Sequence, residues 1–300
     1  MKKHYLFVVF LIFSSLSVFP QEQDWEWWNT THGWESGMPG WRMWLILSPK
    51  YLGPNALPVP ELKNGIIPER SEFEFGADFH FKTGDPTQNL SGRCLIPFAN
   101  SKVAIELYGT IVEKYQMSEK IRDERFARDK DGKGIVQGDF YFSTLIQLTK
   151  NRKFPNTIVR MACKTPSGGA YSAARVSDSP GYYLDLNFSK DFEFLHSSVF
   201  RPKAMIGFYS WQTNDELNLQ NDALQYGGGF ELEGGSWDFN TSITGYYGYK
   251  DNGDRPVVFN SALRKDFGGK TWRLQYLHGI HDWEYNTVKI SIIWYFDGIN

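Results

Sequence analysis

Four ionisable side chains alternate along one short stretch, SEFEFGADFHFKT at 71–83, where Glu72, Glu74, Asp78 and His80 all fall on even positions. Carboxylates beside an imidazole are the raw material of a metal site or of general acid–base chemistry. On a β-strand, side chains two apart share a face at a spacing of about 7 Å, so other strands would have to complete such a site. The same face of later segments carries Arg93, Lys102, Arg160, Arg264, Arg273 and Lys289. Carboxylates among so many cations are expected to form ion pairs, and neither a metal nor a cofactor is expected. The stretch DKDGKG at 129–134 begins like a calcium loop, but that loop needs an acid two residues before Asp129 and a glutamate at its twelfth position. Ala127 and Gly138 stand there instead, so an exposed turn is expected. Zinc-type Cys/His spacing, a phosphate-cradling glycine loop and a serine elbow do not occur. Ser261 and His278 share the apolar face of neighbouring segments, as a lipid-hydrolysing pair would. A turn centred between Phe267 and Gly268 would set Ser261 opposite Leu274, about 14 Å from His278. With no lipid-face carboxylate or amide to orient the ring, a catalytic pair is not expected.

The elements that position these groups announce themselves by period. The odd positions of the opening stretch are Phe73, Phe75, Ala77, Phe79 and Phe81, opposite the charges. Alternation of this kind is the mark of a half-apolar β-strand. It recurs as Val103, Ile105, Leu107 and Ile111 against Lys102, Glu106 and Tyr108, and as Phe140, Phe142, Ile146 and Leu148 against Asp139, Tyr141 and Gln147. Leu224, Tyr226, Phe230 and Leu232 oppose Gln225 and Glu231 in the same way. We count twelve such segments between 71 and 296, the weakest starting near 157 and 203. Tight joints at Asn100-Ser101, Gly234-Gly235 and Asp266–Gly269 alternate with long ones at 113–135, 165–180 and 211–222. The joint at 189–199 is longer than that alternation predicts. A two-sheet sandwich of this size would contain strands buried on both faces, reading as continuous apolar runs. Here nearly every segment keeps a polar face. Twelve such strands fit a closed cylinder with a lipid-facing wall and a polar lumen, with Trp237 and Trp294 near strand ends where interfacial aromatics belong. On this reading arginine at Ile105 or Phe142 harms assembly, whereas arginine at Tyr108 or Gln147 is tolerated.

The N-terminus, MKKHYLFVVFLIFSSLSVF, has Lys2 and Lys3, an apolar stretch and small residues, which reads as a secretory signal over 1–20 with cleavage at 19–23. It is too short for a spanning helix of about 20 apolar residues. Net charge is −2, which gives no basic surface for nucleic acid. With 11 Trp, 16 Tyr and 23 Phe the chain is aromatic-rich, yet its mean hydropathy is negative, as alternating strands require. Cys94 and Cys163 fall on segments separated by two others, beyond disulfide reach.

Residues 21–70 precede the strands. Six tryptophans fall within 25–44, namely Trp25, Trp27, Trp28, Trp34, Trp41 and Trp44, and prolines follow at 49, 54, 58, 60 and 68. The prolines predict an extended tether. The indoles fit a collar at the periplasmic bilayer interface, a plug in the barrel mouth, or a sugar-stacking platform. The collar is the plainest expectation.

The last segment, KISIIWYF, carries Lys289, Trp294 and Phe296 in the spacing of a terminal barrel-assembly signal, with Ser291 where a glycine is usual and Asp297 to Asn300 trailing beyond. In this it resembles Gram-negative outer-membrane β-barrels. That resemblance implies outer-membrane lipid, lipopolysaccharide and the assembly machinery as partners, and leaves room for other envelope proteins. The expected role is a narrow channel or a structural or accessory component, with a barrel enzyme acting on lipid and a secreted carbohydrate-binding sandwich as alternatives.

Overall fold

Alternation builds fourteen strands in a computed structural model that describes residues 24–151, 153–194 and 198–297. The expected signal peptide lies outside the described residues. The chain divides at Ser36–Gly37 into two compact units. In the first, helix α1 (Glu26–His32) ends at Gly33 in the left-handed region, and the Trp28 and His32 rings lie 4.8 Å apart.

The second unit holds the strands. They are β1 (Ser71–Phe81), β2 (Thr87–Phe98), β3 (Val103–Gln116), β4 (Lys133–Val136), β5 (Phe140–Thr149), β6 (Asn156–Lys164) and β7 (Gly181–Ser189). There follow β8 (Phe192–Phe194), β9 (Ser198–Asp215), β10 (Asn218–Gly234), β11 (Trp237–Gly248), β12 (Val257–Asp266), β13 (Lys270–His281) and β14 (Asn286–Phe296). Every pairing is antiparallel between neighbours, and β1 pairs with β14, so the sheet closes on itself. Twelve strands form the wall; β4 and β8 are short additions paired to β3 and β9. Closure removes the exposed edges a sandwich would keep, and the sandwich alternative ends here.

The two faces separate as the alternation requires. Glu74, Asp78 and His80 are buried inside, while Phe73 and Phe81 stand 43% and 56% exposed outside. Ile105, Phe142, Met161, Ile206, Leu224, Leu274 and Ile290 continue the outer apolar surface around the ring. So much contiguous apolar exposure suits lipid, not water. Arginine at Ile105 is therefore expected to destabilise the inserted barrel by about 2–4 kcal/mol, read as a lower midpoint in urea titration of vesicle-inserted protein.

Three joints differ from expectation. β9 and β10 run 18 and 17 residues, so the connection expected at 211–222 is mostly strand. The stretch 113–135 contains the end of β3, helix α2 (Glu119–Glu124) and β4, with Ser118 Oγ accepting from the Ile121 amide at 3.4 Å. The long joint at 189–199 is occupied by β8, which folds back onto β9.

Candidate functional site

The lumen is filled by the protein's own chain. Residues 45–68 run from the end of the barrel that bears the long connections to the opposite end, where β1 begins. At the first end the Lys50 amide donates to Gly253 O (3.3 Å), Gly53 N to Ala174 O (2.8 Å) and Ser48 Oγ to Asn252 O (2.9 Å). Side chains of the wall and of the β13–β14 connection then donate inward to its carbonyls: Trp211 Nε1 to Leu47 (2.9 Å), Trp283 Nε1 to Pro54 (3.1 Å) and Tyr246 OH to Leu57 (3.0 Å). At the other end Gln147 accepts from the Ile67 amide and donates to Gly65 O, both at 2.8 Å, while Ser101 Oγ donates to Pro68 O at 3.1 Å.

This path follows from the residues. Prolines at 49, 54, 58, 60 and 68 hold the backbone extended and remove donors, leaving carbonyls that side chains of the wall can satisfy. Leu45, Leu47, Leu52, Ala56 and Leu57 pack among Tyr115, Tyr141, Tyr183, Tyr209, Trp211 and Tyr246. Nearer the exit Ile67 packs with Leu95, Ala104, Leu145 and Ile158. The passage there is narrow. Gly65 has φ +70°, and a Cβ on it would come within 2.8 Å of Asn156 O and Ser189 Oγ, so only glycine fits.

Between the two apolar plugs lies a charged belt that holds most of the ionisable residues singled out in the sequence; Lys102 instead is exposed in the β2–β3 turn. Arg93 pairs with Glu72, with Glu74 (3.1 Å) and with Glu106 (3.2 Å). Arg273 binds Glu74 (3.4 Å) and Glu61 of the threading segment, and Lys63 of that segment binds Glu106 at 2.7 Å. Asp78 accepts from Asn89 (2.8 Å) and faces Lys289 at 3.5 Å. His80 spends both ring nitrogens, on Thr287 Oγ1 (2.7 Å) and Asn89 Oδ1 (2.6 Å). Arg160 lies farther round the ring, held by Asp185 at 2.7 Å. Among the described residues no group of three or more His, Cys, Asp or Glu is placed to hold a metal. A cavity of about 240 Å³ remains beside the segment, bordered by Glu74, Arg93, Tyr108 and Arg160.

Several expectations need correction. Trp41 and Trp44 lie at the end of the barrel that bears the long connections, not beside the short turns where the collar was expected: Trp41 packs on Tyr171 (5.7 Å between rings) and Trp44 on Phe126 (5.6 Å), both in long connections, and Arg42 pairs with Asp178 there. The 49–68 tether is not an external linker but the filling of the barrel. Tyr108 and Gln147 are not permissive positions either, since Tyr108 bonds Tyr183 and stacks on Tyr141 (5.1 Å), and Gln147 grips the segment. Trp25, Trp27 and Trp28 lie on or next to α1. Trp237 and Trp294 are on the outer wall, 49% and 40% exposed. In the terminal strand Lys289 points inward to Asp78, and Trp294 and Phe296 outward.

The register that set Ser261 and His278 apart also changes. Ser261 sits opposite Tyr276, not Leu274, and His278 opposite Phe259, so the two are about 7 Å apart along the register. An amide does contact the ring: His278 Nδ1 lies 2.7 Å from Asn286 Oδ1, which also accepts from Tyr276 OH. Serine and histidine still lack a direct bond. Cys94 and Cys163 are free thiols.

No protein-family description matches the sequence, and no curated protein is similar to it. Solved structures are. An outer-membrane channel from Pseudomonas putida F1 is similar over 81% of this chain and 97% of its own, with 12% identity and a TM-score of 0.51. The chain shares the closed β-barrel fold of that channel. The KdgM porin is similar over 74% of this chain and 99% of its own, with 8% identity and a TM-score of 0.44.

The inward aromatics were the part of the site that alternation missed. Tyr108 and Tyr141 counted there as polar-face residues, although tyrosines on that face need something to pack against.

Proposed function

We propose that this barrel is a narrow outer-membrane channel held shut by residues 45–68 of its own chain. The observation that carries the reading is the segment itself, bonded to the wall at both ends of the lumen. With the long connections at the cell exterior, residues 37–44 stand outside and the chain returns through the lumen to start β1 on the periplasmic side. A strut meant only to stiffen the barrel would be served by apolar filling throughout. Instead the middle of the segment meets the wall through charged and amide groups such as Glu61, Lys63 and Asn64, which water can replace if the segment moves. Insertion by the barrel-assembly machinery through Lys289, Trp294 and Phe296, and an outer leaflet of lipopolysaccharide around the wall, belong to the same proposal.

Planar-bilayer recordings test it. The native protein is expected to be closed for most of a recording, and Leu52→Asp with Leu57→Asp to give discrete, frequent openings. Equal silence from both proteins, when both are shown to be folded, would support an accessory role.

A further inference from the structure

The long-connection end carries a second feature that the lumen does not use. A cleft of about 690 Å³ opens between the threading segment, the β1–β2 turn, α2 and the β13–β14 turn. Each of the first three supplies a lysine: Lys50, Lys82 and Lys120. Beneath them Arg125 and Arg175 are satisfied by Asp85 and Glu113, with bonds of 2.6–2.9 Å, so that layer is balanced. The three ammonium groups have less. Lys82 reaches Glu284 at 3.2 Å and Lys120 reaches Glu124 at 3.8 Å, both carboxylates more than half exposed. Lys50 has no ion pair among the described residues. Burial, and then the Arg125 guanidinium beside it, hold the Lys82 ammonium below the ordinary lysine value. Glu284 and Asp85 oppose that lowering without cancelling it.

We infer that this cleft is a binding site for a phosphate-bearing anion, held by Lys50, Lys82 and Lys120. Lysines from three separate elements line one solvent-filled space together with Arg125, Glu124 and Glu284, and a multivalent oxyanion can accept from several ammonium groups together. The inference does not depend on whether the lumen opens. Phosphate chemistry can arrive as a free solute or as a headgroup of the surrounding lipopolysaccharide, and the site as described suits either.

Calorimetry on the purified mature chain distinguishes them. Inorganic pyrophosphate is titrated first, then lipopolysaccharide with its phosphates intact or enzymatically removed. Saturable pyrophosphate binding that weakens with salt, and that falls at least tenfold in Lys50→Gln/Lys82→Gln/Lys120→Gln, establishes the site for a free anion. Binding of phosphorylated lipopolysaccharide alone, lost in the same variant, establishes it for a headgroup. Lys270→Gln, at the opposite end of the barrel, should change neither. Absence of both kinds of binding, or binding that survives the triple substitution in a folded protein, overturns the inference.

Discussion

Excision of residues 37–68 is expected to turn a quiet barrel into a conducting one and to lower its melting temperature in the same step. Leu52, Leu57 and Ile67 are almost wholly buried in the lumen. Each such side chain contributes about 1.5–3 kcal/mol by leaving water. Their removal also wets Tyr141, Tyr183, Tyr209, Trp211 and Tyr246, which now share one cluster with the segment. The strand ladder itself loses nothing, because the wall strands pair with one another and with β4 and β8 and not with the segment. The excised protein should therefore still migrate differently on gels before and after boiling, while melting earlier and passing ions through a lumen near the size at which barrels begin to hold water. An unchanged melting temperature would mean that the segment contributes little to the barrel. Failure to close the barrel at all would show that the segment templates the wall during folding, and the closed-channel reading would give way to a structural one.

How much of this was open to a reader of the sequence depends on which force fixed each part. The pleat imposes a period of two, and the wall must be apolar outside, so Phe73 to Phe81 and Val288 to Phe296 declare both strand and face. Period fails where neither face meets lipid. The stretch SWQTNDELNLQND at 210–222 is polar on both sides, yet β9 and β10 continue through most of it because backbone pairing does not need a greasy face. It fails again for the threading segment, whose prolines announce extension without saying where the extension lies. A periplasmic linker and a luminal filling make the same demands on residues 49–68. What separates them is written on the wall, in Tyr115, Tyr141, Tyr183, Tyr209 and Tyr246, whose rings face inward and require an apolar partner. The charged cluster was legible as a cluster. Its partners Glu61 and Lys63 were not, since they come from the segment whose path was unknown.

Arg175 is where the largest loss from one side chain is expected. It is fully buried in the long connection before β7, donating to both oxygens of Asp85 (2.9 and 3.0 Å), to Glu113 (2.6 Å) and to Thr87 (2.8 Å). Gly53 of the threading segment lies against its guanidinium, where a Cβ would come within 2.7 Å of Cζ. The one side chain thus joins a long connection, two wall strands and the segment. Arg175→Met leaves Asp85 to Arg125 and Tyr285 and leaves Glu113 to Asn55. Removing one partner from a buried charge network costs about 3–5 kcal/mol. Arg175→Lys should recover part of that, since it restores the charge but not the planar fork. Acid should reproduce the effect in the native chain. Burial alone would raise the Asp85 carboxyl, but Arg175 and Arg125 outweigh it and hold the group below its ordinary value of 3.8. A carboxyl depressed in the folded state contributes its stability in full above that ordinary value and loses it as pH falls through the lower folded one. Melting temperature measured from pH 7 downward should therefore hold to about pH 4 in the part owed to this carboxyl and then drop. In Arg175→Met the drop owed to this carboxyl should be smaller and should end at a higher pH, because Arg125 alone depresses it less. Coincident acid profiles for the two proteins would show that Arg175 does not set the charge of Asp85, and that the long-connection end is held by packing instead.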